Sequence, residues 1–203
     1  MPYLAATIQI PSNRTDLDAA LEGLVRLNVA LMHQHAAEGK PVPALGLAGV
    51  HWRPDSERGQ PAETWDSLDV VRRRGYGDCE DLAAWLAAEY RYKRNIMAKA
   101  VVQRSRTPGV SWHCVVHLPG GQVLDPSAKM GMHAYHDCKA RGGTAEQCGQ
   151  ASAADVAHRS EHGPRSTTTA PATVGADLVR SLRAVNRRMA AWATRLESKQ
   201  KAK

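Results

Sequence analysis

The stretch RGYGDCEDLAAWLAAEYR, residues 74–91, joins a glycine-rich turn to a run of strong helix formers. Two glycines interrupt regular structure, and Asp78 belongs to the residue types favoured at a helix N-cap. The residues that follow are mostly Ala, Leu, Glu and Trp, which favour a helix. The sequence therefore predicts a helix over 79–92 that begins at Cys79.

A cysteine in the first turn of a helix faces unpaired backbone N–H groups and the positive end of the helix dipole. Both stabilise a thiolate, so Cys79 is predicted to be a reactive thiol. Glu80 and Asp81 follow directly in the sequence, and their negative charge opposes thiolate formation.

A nucleophilic thiol needs an imidazole as its general base and a further group that orients the imidazole. Strands are predicted over 98–104 and 112–118, and the second of these carries His113. A Pro-Gly-Gly turn then leads into a short strand that ends at Asp125. A tight hairpin brings His113 and Asp125 together if both side chains point to the same face, so the order Cys79, His113, Asp125 predicts a catalytic triad.

Two neighbours of His113 offer alternatives. His117 falls on the same strand face at a period of two and competes with His113 for the role of base. Cys114 is predicted to face the opposite side of the strand and to be buried as a small core residue.

Three sequence blocks carry a resemblance to a known family: GYGDCEDLA at 75–83, WHCVV at 112–116 and LDPS at 124–127. Together they resemble the transglutaminase-like branch of the papain-like superfamily of cysteine peptidases. All three blocks occur in the order found in that family, and the match covers roughly residues 65–130.

The resemblance implies an α+β fold in which a helix that carries the cysteine packs on an antiparallel sheet. It implies thiol acyl transfer through a thioester on a peptide or protein amide. Cys79 then matches the nucleophile, His113 the base and Asp125 the orienting residue, and neither a cofactor nor a metal is implied.

GDCEDLAAW, followed later by DPSAKMGM, also resembles small transglutaminase-like proteins encoded among tailed-phage virion genes. That resemblance implies a virion or other assembly protein that uses the fold as a scaffold and whose chemistry is vestigial. The functional expectation is therefore a cysteine hydrolase or acyltransferase, with a structural assembly protein as the alternative.

The N-terminal part of the chain is predicted to contain a short strand over 3–10 and a helix over 16–37 with leucines at helical spacing. A proline- and glycine-rich loop follows over 39–64, with a short strand near 45–52. A short helix over 65–73 is predicted to lead into the cysteine motif.

The sequence divides into a transglutaminase-like domain over 1–135, a loop and flexible linker over 136–173, and a basic amphipathic helix over 174–203. Four residues in and beside the linker are of types that bind zinc, although their spacing fits no common zinc module. They are His133, His136, Cys138 and Cys148. A disulfide between the two cysteines is a further alternative, whereas ordinary reduced loop residues are the expectation.

The C-terminal helix has apolar residues that step by four and three positions, as in the a and d positions of a coiled coil. These residues are Leu178, Leu182, Val185, Met189, Trp192 and Leu196. The seam predicts docking on the body, self-association or binding to a protein partner.

Charge is concentrated in the same helix. Residues 177–203 hold eight basic and two acidic residues, hence +6 of the net charge of +7. Nucleic acid is therefore a partner for this segment alone, and no recognised base-reading motif accompanies it.

Composition excludes several other classes of protein. Hydrophobic residues make up 43% of the chain but aromatic residues only 5%, so Ala, Leu and Val must form most of the core. No apolar run has the length of a membrane span, and the N-terminus lacks the pattern of a signal peptide. A cytoplasmic or virion-associated protein with reduced thiols is the expectation.

Overall fold

A computed structural model describes residues 14–55, 64–104 and 112–162. The chain divides into the units Met1–Ser166 and Thr167–Lys203, and every described residue belongs to the first unit. The strand predicted over 3–10 and the C-terminal helix predicted over 174–203 lie outside the described residues.

Helices and short strands alternate along the described ranges. The helices are α1 (Arg14–Ala37), α2 (Leu68–Arg74), α3 (Cys79–Arg94), α4 (Pro126–Lys129), α5 (Met132–Ala140) and α6 (Ala145–His162). The strands are β1 (His51–Trp52), β2 (Tyr76–Gly77), β3 (Lys99–Arg104), β4 (Trp112–His117) and β5 (Val123–Leu124). A 3-10 turn spans Leu45–Leu47. No helix within these ranges combines the length and the apolar character that crossing a membrane requires.

The strands form two small sheets. β3, β4 and β5 make an antiparallel sheet with β4 in the centre, in which Val102 pairs with Cys114 and Gln103 with His113. β1 and β2 form a separate parallel pair, with His51 opposite Tyr76. The predicted mixture of helices with an antiparallel hairpin is therefore confirmed.

Helix α3 packs against α1, β3 and β4, and its small side chains make this close packing feasible. Ala83, Ala84, Ala87 and Ala88 are fully buried along it, as are Leu82 and Trp85. Arg91 ties α3 to α1 through two hydrogen bonds to the Glu22 carboxylate, at 2.9 and 2.7 Å. The low aromatic content is matched by an alanine-rich helix interface, as the composition predicts.

The glycines before α3 each meet a local requirement. Gly75 ends α2 in the left-handed region at φ 81°, where a residue with a Cβ is strained. A Cβ on Gly77 would lie 3.1 Å from Cβ of Asp81 and 3.2 Å from Cγ1 of Val71. The chain thus turns sharply between α2 and α3 and brings their ends into contact.

The prediction of a loop and flexible linker over 136–173 is wrong for residues 136–162, because α5 and α6 occupy most of this segment. Thr144 and Gln147 form a capping box: the Gln147 N–H donates to Thr144 Oγ1 at 3.3 Å, and the Thr144 N–H donates to Gln147 Oε1 at 2.9 Å. Buried residues at 148, 152 and 156 then follow at a helical spacing of four. The capping box and the spacing of four are both present in the sequence, but they are weak signals of a helix because many residues between them are small or polar.

The expectation of reduced Cys138 and Cys148 is also wrong. Their sulfurs form a disulfide that joins α5 to the start of α6, with Cα atoms 5.3 Å apart. A Cβ on Gly143 would overlap the sulfur of Cys138 and lie 2.8 Å from that of Cys148. The glycine therefore lets the chain pass beside the disulfide.

Helix α6 docks on the rest of the fold through a buried hydroxyl. Ser152 Oγ lies 3.0 Å from the carbonyl oxygens of both Trp52 and Met130. The Trp52 N–H also donates to the Met130 carbonyl oxygen at 2.7 Å. Gly131 permits this approach, since its φ is 90° and a Cβ there would overlap Ser152 Oγ and lie 2.5 Å from the Ser152 carbonyl oxygen.

The Gly131→Ala substitution is expected to lower the free energy of unfolding by about 2–5 kcal/mol, because it combines left-handed strain with overpacking against Ser152. Gly142→Ala is the matched control: its φ is 82°, but nothing lies within 4 Å of the added Cβ. We expect this control to lose only about 1–2 kcal/mol. Urea unfolding followed by tryptophan fluorescence measures both. Equal losses would contradict the close approach of α6 to Gly131.

Candidate active site

The first turn of α3 is held by its third residue. Asp81 is fully buried, and its Oδ1 accepts a hydrogen bond from the Asp66 N–H at 2.7 Å. Its Oδ2 lies 2.9 Å from Nη2 of Arg74, whose other terminal nitrogen pairs with the Asp66 carboxylate. Asp78 stands at the N-cap and accepts the Leu82 N–H with its backbone oxygen, but its side chain makes no capping bond. The start of the helix is therefore anchored by an ion pair to α2.

His113 and Asp125 are brought together as predicted. His113 Nε2 lies 2.9 Å from Asp125 Oδ2, so the β4–β5 hairpin places both side chains on one side. The other oxygen of Asp125 caps α4 by accepting the Ala128 N–H at 3.0 Å. Burial on its own raises the pKa of Asp125, but the hydrogen bonds from His113 and Ala128 outweigh it and leave that pKa below its usual range.

Cys79 lies half-buried at the start of α3, with a different set of partners. Its Sγ donates to Glu80 Oε2 at 3.2 Å. The pKa of Cys79 lies well above its usual value, first because its side-chain hydrogen bond with Cys114 favours the protonated thiol and second because the sulfur is desolvated. These two effects favour the neutral thiol and oppose the thiolate expected from the helix dipole.

Within the described ranges, no hydrogen bond joins the Cys79 thiol to the His113 ring. Strand side chains alternate between faces, and Cys114 and Val116 occupy the face of β4 that packs in the core beside α3. His113 belongs to the alternate positions, together with the exposed His117. Cys114 is buried as expected, yet it contacts Cys79 instead of serving only as core filler. The period of two in WHCVVH is the sequence signal that points to this contact.

A second group of carboxylates adjoins the thiol. Oxygens of Asp55, Asp78 and Glu80 all lie within 4.8 Å of one another. The pKa of Asp78 is raised well above its usual value by burial first, then by the charges of Glu80 and Asp81 and by its contact with Asp55. Sequence reasoning missed Asp55 because it lies 23 positions before Asp78, in a loop without periodicity.

The structure contradicts a zinc site at His133, His136, Cys138 and Cys148, because the sulfurs of the two cysteines are bonded to each other and are not available as thiolates. His133 is exposed, while His136 packs its ring against Trp52 with centroids 5.0 Å apart. Another set of ligand types does converge in the described structure. Single donor atoms of Cys79, Glu80 and Cys114 lie within 4.8 Å of one another.

Comparisons with protein-family models, curated proteins and solved structures found no match for this chain. The transglutaminase-like resemblance thus depends on the three sequence blocks around Cys79, His113 and Asp125. In the structure, two of these residues are hydrogen-bonded to each other and the third is bonded elsewhere.

The Asp78→Asn substitution is expected to raise the free energy of unfolding at neutral pH. A folded-state pKa above the unfolded value of about 4 means that folding is penalised by ionised Asp78. The penalty is absent below about pH 4 and grows as the pH rises toward the folded-state pKa. The free energies of unfolding of the wild type and of Asp78→Asn should therefore diverge as the pH rises. Urea unfolding in the presence of a chelator measures both.

Asp81→Asn is the control for this measurement. Its carboxylate is paired with Arg74, so neutralising it is expected to cost roughly 1–3 kcal/mol at neutral pH. If Asp78→Asn loses stability to the same degree, the raised pKa of Asp78 is contradicted.

Proposed function

We propose that this protein is a thiol acyl-transfer enzyme of the transglutaminase-like class that hydrolyses a peptide or protein amide. Cys79 is the nucleophile, His113 the general base and Asp125 the residue that orients the imidazole. The carbonyl carbon of the substrate forms a thioester with Cys79, the amine leaves with a proton from His113, and water then releases the acid.

The hydrogen bond between His113 Nε2 and Asp125 Oδ2 carries this proposal. A carboxylate on one ring nitrogen selects the tautomer whose other nitrogen accepts a proton, and it stabilises the imidazolium that forms. The side chain of His113 is only 12% exposed, which limits the access of water to the ring, whereas that of Asp125 is 34% exposed. Asp125 is held in place because its second oxygen caps α4.

Two features of α3 suit Cys79 to the role of nucleophile. The thiol stands at the helix N-terminus, where the free backbone N–H groups are suited to stabilise an oxyanion. Arg74 and Asp81 hold this first turn in one position. His113 belongs to the opposite face of β4 from Cys114, so catalysis requires the first turn of α3 and β4 to shift until Sγ leaves Cys114 and Glu80 and meets the His113 ring. An imidazole partner then lowers the pKa of the thiol.

The His113→Ala substitution is expected to slow alkylation of Cys79 by iodoacetamide at least tenfold at neutral pH, because the imidazole no longer accepts the thiol proton. Hydrolysis of fluorescent casein is expected to fall about 100-fold or more. Alkylation is followed by mass spectrometry of the peptide that contains Cys79, and Cys79→Ala defines the background of the hydrolysis assay.

His117→Ala is the matched control, because His117 lies on the same strand and is exposed. It is expected to leave both the alkylation rate and the hydrolysis unchanged. Equal alkylation rates in the wild type and in His113→Ala would refute His113 as the base.

The raised pKa of Cys79 favours a second candidate, an assembly protein that keeps the fold as a scaffold. A neutral thiol bonded to Glu80 and Cys114 is a poor nucleophile. In that case the apolar seam of residues 174–203 supplies the contact with other copies of the chain.

For the second candidate, removal of residues 174–203 is expected to convert an associated species into a monomer, because the coiled-coil seam is lost. Cys79→Ala is expected to associate as the wild type does. Sedimentation velocity of the three proteins tests this prediction, and unchanged association after the truncation would exclude the seam as the contact.

A further inference from the structure

A cluster of metal-ligating atoms occupies the start of α3 and does not depend on the His113–Asp125 pair. The sulfurs of Cys79 and Cys114 and a carboxylate oxygen of Glu80 lie within 4.8 Å of one another. Cys79 and Glu80 belong to the first turn of α3, while Cys114 lies within β4 and is paired with Val102. Regular secondary structure therefore positions all three donors.

The chemistry of these donors selects a particular class of metal ion. Thiolates favour Zn²⁺ and other soft or borderline ions over Ca²⁺ and Mg²⁺, which bind oxygen. A tetrahedral Zn²⁺ with Zn–S bonds of about 2.3 Å holds its sulfurs roughly 3.8 Å apart, a separation that the cluster accommodates with little movement. Two sulfurs and one oxygen leave a fourth position, which water can fill.

The surrounding charge also favours a cation. Glu80 is 2% exposed and Asp78 is 6% exposed, and the carboxylate oxygens of Asp55, Asp78 and Glu80 are clustered. The guanidinium of Arg74 is bound to Asp66 and Asp81, which are not members of this cluster. Gathering carboxylates in a protein interior is costly, and a divalent cation beside them offsets that cost.

We propose that Cys79, Glu80 and Cys114 bind one Zn²⁺, with water as the fourth ligand. Binding displaces the protons of both thiols to solvent, and two thiolates and one carboxylate then coordinate the ion. The metal occupies the Cys79 sulfur, so zinc binding and thioester formation at this atom exclude each other. The site stands on the geometry of the three ligands and is independent of the proposed hydrolase activity.

Titration of the full-length, metal-free protein with Co²⁺ tests the site, because Co²⁺ replaces Zn²⁺ and reports its ligands in the absorption spectrum. Reaction with a thiol reagent in denaturant first verifies that Cys79 and Cys114 are reduced. One Co²⁺ per chain is expected to produce a near-ultraviolet sulfur-to-cobalt charge-transfer band and the intense visible bands of a tetrahedral site. Added Zn²⁺ is expected to abolish both, and a saturated spectrum without the charge-transfer band would overturn the proposal.

Substitutions identify the ligands. Cys79→Ser and Cys114→Ser are each expected to weaken Zn²⁺ binding at least tenfold in competition with a chromophoric chelator, and each should reduce the charge-transfer band. Glu80→Gln is expected to weaken binding while keeping the band. Far-UV circular dichroism verifies that each variant is folded. If replacement of the buried Cys114 prevents folding, the Cys79→Ser variant still tests the site, because Cys79 is only half-buried.

His113→Ala is the control that separates this site from the proposed enzyme. It is expected to retain Zn²⁺ affinity within about twofold of the wild type, whereas hydrolysis is lost if His113 is the base. Unchanged binding in both serine variants would place the metal on the carboxylates alone and overturn the proposal. Loss of binding in His113→Ala would also overturn it, because the histidine would then be a ligand.

Discussion

The buried ion pair between Asp81 and Arg74 is the constraint on which the rest of the site depends. It joins the first turn of α3 to the end of α2, and the Asp66 N–H completes the bonding of the Asp81 carboxylate. A buried pair contributes little net stability, but removing one partner leaves an uncompensated charge in the interior. The main effect of the ion pair is therefore to fix the position of the first turn of α3, and with it the position of Cys79. Gly77 is part of the same constraint, because its missing side chain lets Asp81 approach β2.

Given that position, the pleat of β4 determines which side chain meets the thiol. Adjacent residues of a strand point to opposite faces, so His113 and Cys114 cannot both project toward α3. Cys114 takes the core side and hydrogen-bonds to Cys79, whereas His113 pairs with Asp125. The same strand thus places a partner that favours the neutral thiol on one face and the His113–Asp125 pair on the other. The proposed catalysis and the proposed zinc site both use the Cys79 sulfur, as nucleophile in the first and as metal ligand in the second.

Much of the architecture could be predicted from local patterns. The leucine spacing of α1, the alanine-rich run of α3 and the β-branched residues of β3 and β4 each match an element within a few residues of its predicted ends. The segment after Asp125 was predicted poorly, since α5 and α6 have short polar stretches and depend on the Cys138–Cys148 disulfide and on docking through Ser152. Such contacts join residues that are distant in sequence, so neither periodicity nor composition reveals them. Within the site, the hairpin brought His113 and Asp125 together as expected, because the two lie only 12 residues apart.

The sequence by itself determined the mixed fold, the helix that begins at Cys79 and a hairpin able to bring His113 and Asp125 together. Each of these depends on neighbours a few residues away or on one short hairpin. Only the tertiary structure decided the surroundings of the Cys79 thiol, since packing brings Cys114 of β4 to it and desolvates the sulfur, and both raise its pKa. A pKa responds to burial and to nearby charges in three dimensions, whatever their order along the chain. The chemical role of the thiol is for this reason a property of the packed structure.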